Sequence, residues 1–183
     1  MKLVILDRDG VINVDSSAYI KTVEEWQPLP GSIEAIAKLT QAGFTTVVAT
    51  NQSGLGRGLF GLDDLEAMHQ KLRDKVENLG GQVAAIYYCP HTPDAQCSCR
   101  KPLPGMLEAI ASDFGLSDLN GIHVIGDSLR DLQAGIVMGC QPVLVRTGKG
   151  SKAEAELAKD PRLANTLVFD DLADAVNFLT ENR

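Results

Sequence analysis

The sequence lacks a long hydrophobic run and any excess of positive charge. Its apolar segments fall short of the roughly 18 residues of a membrane-spanning helix, and the apolar run at 3–6 is too short for a signal peptide. Lysine and arginine number 17 against 24 acidic residues, and the net charge of −7 opposes nonspecific nucleic-acid binding. We therefore expect a cytoplasmic protein without membrane or nucleic-acid partners, and we also expect a monomer.

Internal repeats and low-complexity linkers are also missing from the 183-residue chain. Its 44% hydrophobic and 22% charged residues are in the ordinary range for globular proteins. A chain of this length usually forms one domain, so we expect residues 1–183 to fold as a single domain. Cysteine is scarce, and three of the four cysteines lie in one short stretch, which favours a metal site over disulfides.

Short apolar runs alternate with amphipathic helical patterns along the chain. Runs that fit buried strands cover residues 3–6, 45–49, 84–88, 122–125, 142–145 and 167–169. Helical patterns begin near residue 32 and cover 65–79, 106–114, 129–138, 152–159 and 172–179, whereas 53–58 and 89–105 are predicted as loops. This alternation predicts an α/β fold, with a Rossmann-like, doubly wound parallel sheet between two helical layers.

Carboxylates follow two of the predicted strands, at the edge where open α/β sheets bind ligands. Asp7 and Asp9 follow the first strand, so one could attack an electrophile while the other moves a proton. A structural alternative is that Asp7 caps a loop and Asp9 belongs to a turn. Asp127 would place a second negative charge close to Asp7. A bound divalent cation relieves this repulsion, and Mg²⁺ is the usual one. Asp131 could simply favour the N-terminus of the following helix.

The remaining polar segments are ambiguous when each is considered alone. The segment 50–53 offers a hydroxyl and free backbone amides for a phosphate, or it is an ordinary polar turn. The pair Arg100-Lys101 is by default solvated surface. Cys89, His91, Cys97 and Cys99 are more informative, because three thiolates and one imidazole complete a tetrahedral zinc site. The alternative is unrelated buried cysteines with a surface histidine.

With all four positions filled by protein, such a zinc ion is structural and fixes the adjacent Arg100-Lys101 loop. Cys140 follows Gly139 at a predicted helix end and is expected to be a plain core thiol.

Four motifs in order, Asp7-x-Asp9, Thr50, Lys101 and Gly126-Asp127-x-x-x-Asp131, resemble those of the haloacid dehalogenase (HAD) superfamily of phosphohydrolases. The resemblance implies that Asp7 is the nucleophile and Asp9 the general acid and base. Thr50 and Lys101 would hold the phosphoryl oxygens. Mg²⁺ would bind Asp7, the backbone carbonyl of Asp9, and Asp127, while direct contact with Asp131 is left open.

Many relatives carry a cap domain over the active site. About forty residues separate Asp9 from Thr50, and about fifty separate Thr50 from Lys101. Predicted helices, strands and loops use most of both intervals. We therefore expect no true cap domain, and we expect selectivity to come from the zinc loop and from residues 15–30.

Three further segments resemble the D-glycero-D-manno-heptose 1,7-bisphosphate 7-phosphatases of ADP-heptose and lipopolysaccharide core biosynthesis. They are Cys89–Met106, Thr50–Gly54 with Arg57-Gly58, and Val145–Lys149. Ser128 departs from the lysine of some members, which leaves this contact and the preferred anomer open. The substrate-binding residues implied by the resemblance are Asp15, Tyr19, Asn51, Gln52, Ser53, Arg57, Arg100 and Ser128.

Two alternatives are kept. Histidinol-phosphate phosphatases share the zinc loop and the catalytic motifs, but Pro104-Gly105-Met106 and several arginines favour a sugar bisphosphate. A receiver-type signalling domain also uses aspartate, threonine, lysine and Mg²⁺ on a parallel sheet. In receivers, however, the phosphoacceptor ends strand three, and here strand three runs into Cys89.

Overall fold

The computed structural model describes residues 1–181, and a parallel sheet forms its centre. The six strands are β1 (Leu3–Leu6), β2 (Thr45–Asn51), β3 (Ala85–Cys89), β4 (His123–Gly126), β5 (Gln141–Val145) and β6 (Leu167–Phe169). All neighbours pair in parallel, in the order β3-β2-β1-β4-β5-β6. The strands predicted from sequence are confirmed, with ends that differ by at most two residues.

Helices connect the strands in the described part of the chain. The α-helices are α1 (Ser32–Gln41), α2 (Ser53–Gly56), α3 (Leu62–Glu77), α4 (Gly105–Asp113), α5 (Leu129–Val137), α6 (Gly150–Glu156) and α7 (Leu172–Glu181). Short 3₁₀ helices cover Pro93–Ala95, Leu157–Lys159 and Pro161–Leu163. Within residues 1–181, no helix combines the length and the apolar character needed to cross a bilayer.

The glycine-rich stretch 53–58 differs from its prediction as a loop, because residues 53–56 form one helical turn, α2. A side chain at Gly54 would meet the ring of Phe60 at 2.5 Å, and one at Gly56 would overlap the carbonyl of Pro90. These glycines therefore allow close packing of α2 on its neighbours, whereas the sequence suggested a flexible loop.

Both faces of the sheet are covered, as a doubly wound three-layer fold requires. The alternation along β1 shows this directly, since Val4 and Leu6 join one hydrophobic cluster and Leu3 and Ile5 join another. Helices α1, α3 and α7 supply the first cluster, and α4 and α5 contribute to the second. All four β1 side chains are buried, which explains their unbroken apolar run.

The strand order reverses between β1 and β4. After β1 the chain adds β2 and β3 on one side and then crosses to add β4, β5 and β6 on the other. Helices on opposite faces diverge at such a switch point and leave a crevice at the carboxyl ends of the strands. Three groups of predicted site residues lie there: Asp7 and Asp9 follow β1, Thr50 is near the end of β2, and Asp127 follows β4.

The segment between β1 and α1 forms a folded loop rather than a cap domain. The indole side chain of Trp26, within this loop, is fully buried. The ammonium group of Lys71 on α3 donates hydrogen bonds to the carbonyls of Trp26 (2.6 Å) and Val23 (3.0 Å). An isolated bridge between Asn13 and Pro28 closes the base of the loop. Both this loop and the loop that follows β3 contribute residues to the lining of the crevice, among them Tyr19 and Arg100.

Helix α5 packs against β4 through Gly135, where a Cβ atom would overlap Cγ1 of Val124. We predict that Gly135→Ala lowers the free energy of unfolding by about 1–2 kcal/mol, because the overlap outweighs the better helix propensity of alanine. Chemical denaturation measures the change. In a Val124→Ala background the same substitution should be neutral or stabilising, and an equal loss in both backgrounds would contradict the packing argument.

Candidate active site

A cavity of about 300 Å³ opens at the carboxyl edge of the sheet, between β1, β2 and β4. Every residue predicted from sequence as catalytic, substrate-binding or magnesium-binding lines this cavity. The four predicted zinc ligands lie together in a neighbouring cluster. The structure therefore brings into one place residues that span positions 7 to 128 of the chain.

The ammonium group of Lys101 is buried at the floor of this cavity. Its Nζ lies 2.6 Å from Oδ1 of Asp131 and 3.1 Å from Oδ1 of Asp7, and it donates to the carbonyl of Ala49 at 2.8 Å. Burial disfavours the charged lysine, but the two carboxylates outweigh burial and raise the pKa of Lys101. Lys101 is therefore a fixed positive charge beside the proposed nucleophile.

Negative charge nevertheless exceeds positive charge at the floor. One oxygen from each of Asp7, Asp127 and Asp131 lies within 4.8 Å of the others. Burial and then Asp131 raise the pKa of Asp7 well above its usual range, although Lys101 opposes them. Burial and Asp131 also raise the pKa of Asp127 to about 7. Close carboxylates of this kind fit a hard divalent cation, and Mg²⁺ is the usual one.

Asp131, whose role the sequence left open, makes contacts through both of its carboxylate oxygens. Its Oδ2 accepts from the backbone N–H groups of Asp127 and Ser128 at 3.2 Å each, and from the Ser128 hydroxyl at 3.0 Å. These contacts form a capping box at the start of α5. Its other oxygen holds Lys101. The Ser128 hydroxyl is thereby engaged with Asp131 at the helix terminus.

The carboxylate of Asp9 is oriented by donors on both oxygens. Arg8 donates to Oδ1 through Nε (3.0 Å) and Nη2 (2.9 Å), and Asn13 donates to the same oxygen at 2.8 Å. Gln52 donates to Oδ2 at 3.0 Å and to the hydroxyl of Thr50 at 3.0 Å. Burial would raise the pKa of Asp9, but Arg8 and these hydrogen bonds hold it below its usual range.

Asn51 links the loop of Lys101 to β2. Its amide nitrogen donates to the Lys101 carbonyl at 3.2 Å, and its Oδ1 accepts from the Lys101 N–H at 3.1 Å. This two-way contact mimics a strand pairing and fixes the backbone on which the lysine is carried. Asn51 therefore positions Lys101, and it also lines the cavity, next to which the family resemblance implies a substrate contact.

Arginines line the mouth of the cavity. Arg57 and Arg100 were predicted there, and Arg130 on α5 joins them. Burial lowers the pKa of Arg100, and the charges of Arg130 and Arg57 lower it further. Tyr19 lies beneath Arg57, with 5.8 Å between the guanidinium carbon and the ring centre. Three like charges around one opening favour an anionic ligand.

The sequence analysis missed Arg8, Asn13 and Arg130. Arg8 stands between the two motif aspartates, and nothing in the sequence alone distinguishes a buried arginine from a solvated one there. Arg130 lies within the fourth motif, on the first turn of α5.

The two basic residues of the segment Val145–Lys149, Arg146 and Lys149, differ in placement. Lys149 lines the cavity, whereas Arg146 pairs with Glu154 and Asp170 outside it.

The predicted zinc ligands converge on one point beside the cavity. Sγ of Cys89 lies 2.9 Å from Sγ of Cys99 and 3.7 Å from Sγ of Cys97, and Nδ1 of His91 lies 3.2 Å from Sγ of Cys99. Three sulfurs and one imidazole nitrogen within 4.8 Å of one another fit the tetrahedral donor set that zinc prefers. Cys140 is buried in the core, apart from this cluster, as predicted.

Two family models match the sequence. The polynucleotide kinase 3 phosphatase model matches residues 2–129, and the HAD-hydrolase-like model matches residues 98–175. A D-glycero-β-D-manno-heptose-1,7-bisphosphate 7-phosphatase from Pseudomonas putida is 57% identical over 173 residues, which cover 94% of this chain and 96% of the relative. The enzyme of the same name from Pseudomonas aeruginosa is 56% identical over 179 residues, or 98% of each chain.

Solved structures give the same result. The D,D-heptose 1,7-bisphosphate phosphatase from Bordetella bronchiseptica, complexed with magnesium and phosphate, superposes with a TM-score of 0.94 at 52% identity over all of both chains. The phosphatase from Burkholderia thailandensis superposes with a TM-score of 0.74 at 44% identity, over 98% of this chain and 99% of that one. The chain therefore belongs to the D-glycero-β-D-manno-heptose-1,7-bisphosphate 7-phosphatase family of HAD-like hydrolases.

Proposed function

We propose that the chain is a Mg²⁺-dependent phosphatase that removes the 7-phosphate of D-glycero-D-manno-heptose 1,7-bisphosphate, in the formation of ADP-heptose for lipopolysaccharide cores. The observation that carries the proposal is the pairing of Lys101 with Asp7 beside an oriented Asp9, at the bottom of an arginine-rimmed cavity. The names of the relatives favour the β anomer, which the sequence left open.

In the first step, a carboxylate oxygen of Asp7 attacks the phosphorus of the 7-phosphate. The negative charge of the bound phosphate raises the pKa of Asp9 against the effect of Arg8, so Asp9 takes up a proton in the complex. The bond from phosphorus to the sugar oxygen breaks, and Asp9 gives this proton to that oxygen as the alcohol leaves. Lys101 and the Thr50 hydroxyl contact the phosphoryl oxygens, where negative charge accumulates. Asp7 is left as an aspartyl-phosphate.

In the second step, a water molecule attacks the phosphorus of the aspartyl-phosphate. Asp9, now a carboxylate, takes the proton of the water, and the bond between phosphorus and the Asp7 oxygen breaks. Phosphate leaves and both aspartates return to their starting states. One group can serve both steps because the contacts from Arg8, Asn13 and Gln52 hold its carboxylate in one orientation.

Two metals belong to this proposal. Asp7, Asp127 and the backbone carbonyl of Asp9 would hold Mg²⁺, which supplies positive charge against the repulsion between carboxylate and phosphate. Cys89, His91, Cys97 and Cys99 would hold zinc in a purely structural role. The backbone carbonyl of His91 accepts from Nη1 of Arg100 at 3.4 Å, so the zinc loop also orients the arginine at the mouth.

Selectivity for a bisphosphate follows from the mouth of the cavity. One phosphate of the substrate would contact Lys101 and Thr50 on the floor of the cavity. The rest of the substrate would then extend toward the three arginines at the mouth, Arg57, Arg100 and Arg130. A second phosphate meets three guanidinium groups, whereas the ammonium group of histidinol phosphate meets like charge. The loop residues Asp15 and Tyr19 and the polar Ser53 border the space that the sugar would occupy.

The setting of the enzyme is part of the proposal. All four cysteines are free thiols, which suits a reducing compartment such as the cytoplasm. The net charge of −7 argues against a polynucleotide substrate, despite the match to polynucleotide kinase 3 phosphatase. One sheet runs from residue 3 to residue 169, and one chain supplies the whole site, which supports a single domain that acts as a monomer.

We predict that the β anomer of heptose 1,7-bisphosphate has the highest kcat/KM for phosphate release with Mg²⁺, ahead of the α anomer. Histidinol phosphate should be at least about 100-fold poorer, because charge-assisted contacts to the second phosphate are lost. Positional analysis of the product should show a free 7-hydroxyl group. Preference for histidinol phosphate would reject the sugar substrate while leaving the catalytic roles intact.

We predict that Asp7→Asn lowers kcat by on the order of 1,000-fold or more, because an amide oxygen is a poor nucleophile toward phosphorus. The melting temperature should be kept or raised, since the substitution removes one of three crowded carboxylates. Steady-state kinetics and thermal unfolding measure both. Asp74→Asn, on the exposed face of α3, is the matched control. Substantial turnover by Asp7→Asn would remove Asp7 as the nucleophile.

We predict one zinc ion per chain by elemental analysis, and its loss in Cys99→Ala. The same substitution should lower kcat/KM by about 10- to 100-fold, because the loop that carries Arg100 and Lys101 loses its anchor. Cys140→Ala removes a buried thiol outside the cluster and should keep the zinc. A zinc-free Cys99→Ala protein with unchanged kinetics would break the link between the metal and the loop.

A further inference from the structure

Arg8 is a buried cation that the two chemical steps do not use directly. Its side chain is fully excluded from solvent, and among the described residues it is the one arginine in the buried class. A guanidinium group buried without partners would cost several kcal/mol, so its contacts indicate why it is tolerated. Two of its nitrogens, Nε and Nη2, contact the same oxygen, Oδ1 of Asp9, at 3.0 and 2.9 Å.

The opposite side of the guanidinium group reaches the interior of α3. Nη1 of Arg8 lies 3.2 Å from Nε2 of His69 and 3.7 Å from Sδ of Met68. Burial, followed by the charges of Arg8 and Arg73, lowers the pKa of His69 to about 3. The imidazole is therefore neutral near pH 7, and its Nε2 can accept the hydrogen bond from Arg8.

These contacts make the two oxygens of Asp9 unequal. Oδ1 accepts three hydrogen bonds, two from Arg8 and one from Asn13, whereas Oδ2 accepts one from Gln52 on the cavity wall. Saturation of Oδ1 leaves Oδ2 to carry the proton that moves to the leaving oxygen. The backbone of Arg8 reinforces this placement, since its carbonyl accepts from the N–H of Ile12 at 2.8 Å and so closes the turn.

We propose that Arg8 and His69 form a positioning pair that aims Oδ2 of Asp9 at the oxygen of the departing alcohol. His69 fixes the plane of the guanidinium group from α3, and the guanidinium group fixes the rotation of the carboxylate. Neither residue contacts the substrate, and both act through Asp9. This inference rests on the proposed function, because it concerns proton delivery during cleavage of the ester bond.

The chemistry of the leaving group provides the test. When the bond from phosphorus to a sugar oxygen breaks, the alkoxide needs the proton from Oδ2 of Asp9. A p-nitrophenolate leaves readily without one. If Asp9 loses its orientation, hydrolysis of the sugar substrate should therefore slow while hydrolysis of the aryl substrate is little changed. General damage to the site would slow both reactions. The ratio kcat/KM is suitable because it reports the steps up to departure of the leaving group.

The experiment compares kcat/KM for heptose 1,7-bisphosphate and for p-nitrophenyl phosphate in the full chain with Mg²⁺. For Arg8→Met we expect a loss of about 100-fold or more with the bisphosphate and less than about 10-fold with the aryl phosphate, the range typical of general acid catalysis. For His69→Leu we expect kcat/KM to fall by about 10-fold with the bisphosphate and to change less with the aryl phosphate. His69→Gln keeps an acceptor for Arg8 and should restore most of the activity.

Met68→Leu is the matched control, because it changes the residue of α3 next to His69 and removes only the long sulfur contact of Arg8, while the contacts of Arg8 with His69 and Asp9 are kept. It should leave the ratio between the two substrates unchanged. If Arg8→Met does not fold, His69→Leu decides. Equal losses with both substrates, or no loss, in the variants that fold would overturn the positioning role. Failure of the wild-type chain to hydrolyse the bisphosphate would instead reject the proposed function, so the two failures are distinguishable.

Discussion

A lysine ammonium group can be buried away from water only where negatively charged or polar acceptors surround it. Lys101 meets this condition at the carboxyl ends of the neighbouring strands β1, β2 and β4. Asp7 comes from the end of β1, the carbonyl of Ala49 from β2, and Asp131 from the helix after β4. Asn51 fixes the loop that inserts the lysine, and the proposed zinc ligands lie in the same loop. Displacement of any one of these elements would leave a buried charge without its partner, so this contact constrains the placement of all of them.

The balance of charge explains why the same site needs a metal and attracts a phosphate. Four motif carboxylates, Asp7, Asp9, Asp127 and Asp131, face two buried cations, Lys101 and Arg8. When all four carboxylates are ionised, two negative charges are uncompensated; without a cation, burial and this crowding raise the pKa of Asp7 and Asp127. One divalent cation would neutralise the two charges. The floor is then neutral rather than positive, so the arginines at the mouth must supply the attraction for a doubly phosphorylated ligand. An overall acidic protein can in this way bind a strongly anionic substrate.

The sequence predicted the parts of the site that depend on local spacing or on strand ends. Cys89 and His91 stand two residues apart, and Asp7 follows an apolar run, so neighbours in the sequence carry the signal. Arg8 was missed because one of its partners is His69, which lies 61 residues away on α3. Likewise, the place of Asp131 at the N-terminus of α5 could be anticipated from local spacing, but its pairing with Lys101, 30 residues away, could not. Long-range polar contacts leave no periodic trace in a sequence.

The inner and outer parts of the site differ in how firmly they are held. Asp9 and Lys101 each make several hydrogen bonds to groups fixed by the core, whereas Arg130 is exposed at the mouth. A substitution at the mouth therefore has few packed neighbours through which to disturb the floor, and distant sites with no shared partners act independently. The fold thus separates the chemistry from the selection of substrate. Under the proposed function, that separation would let loops select the ligand without a cap domain while the sheet edge holds the reacting groups.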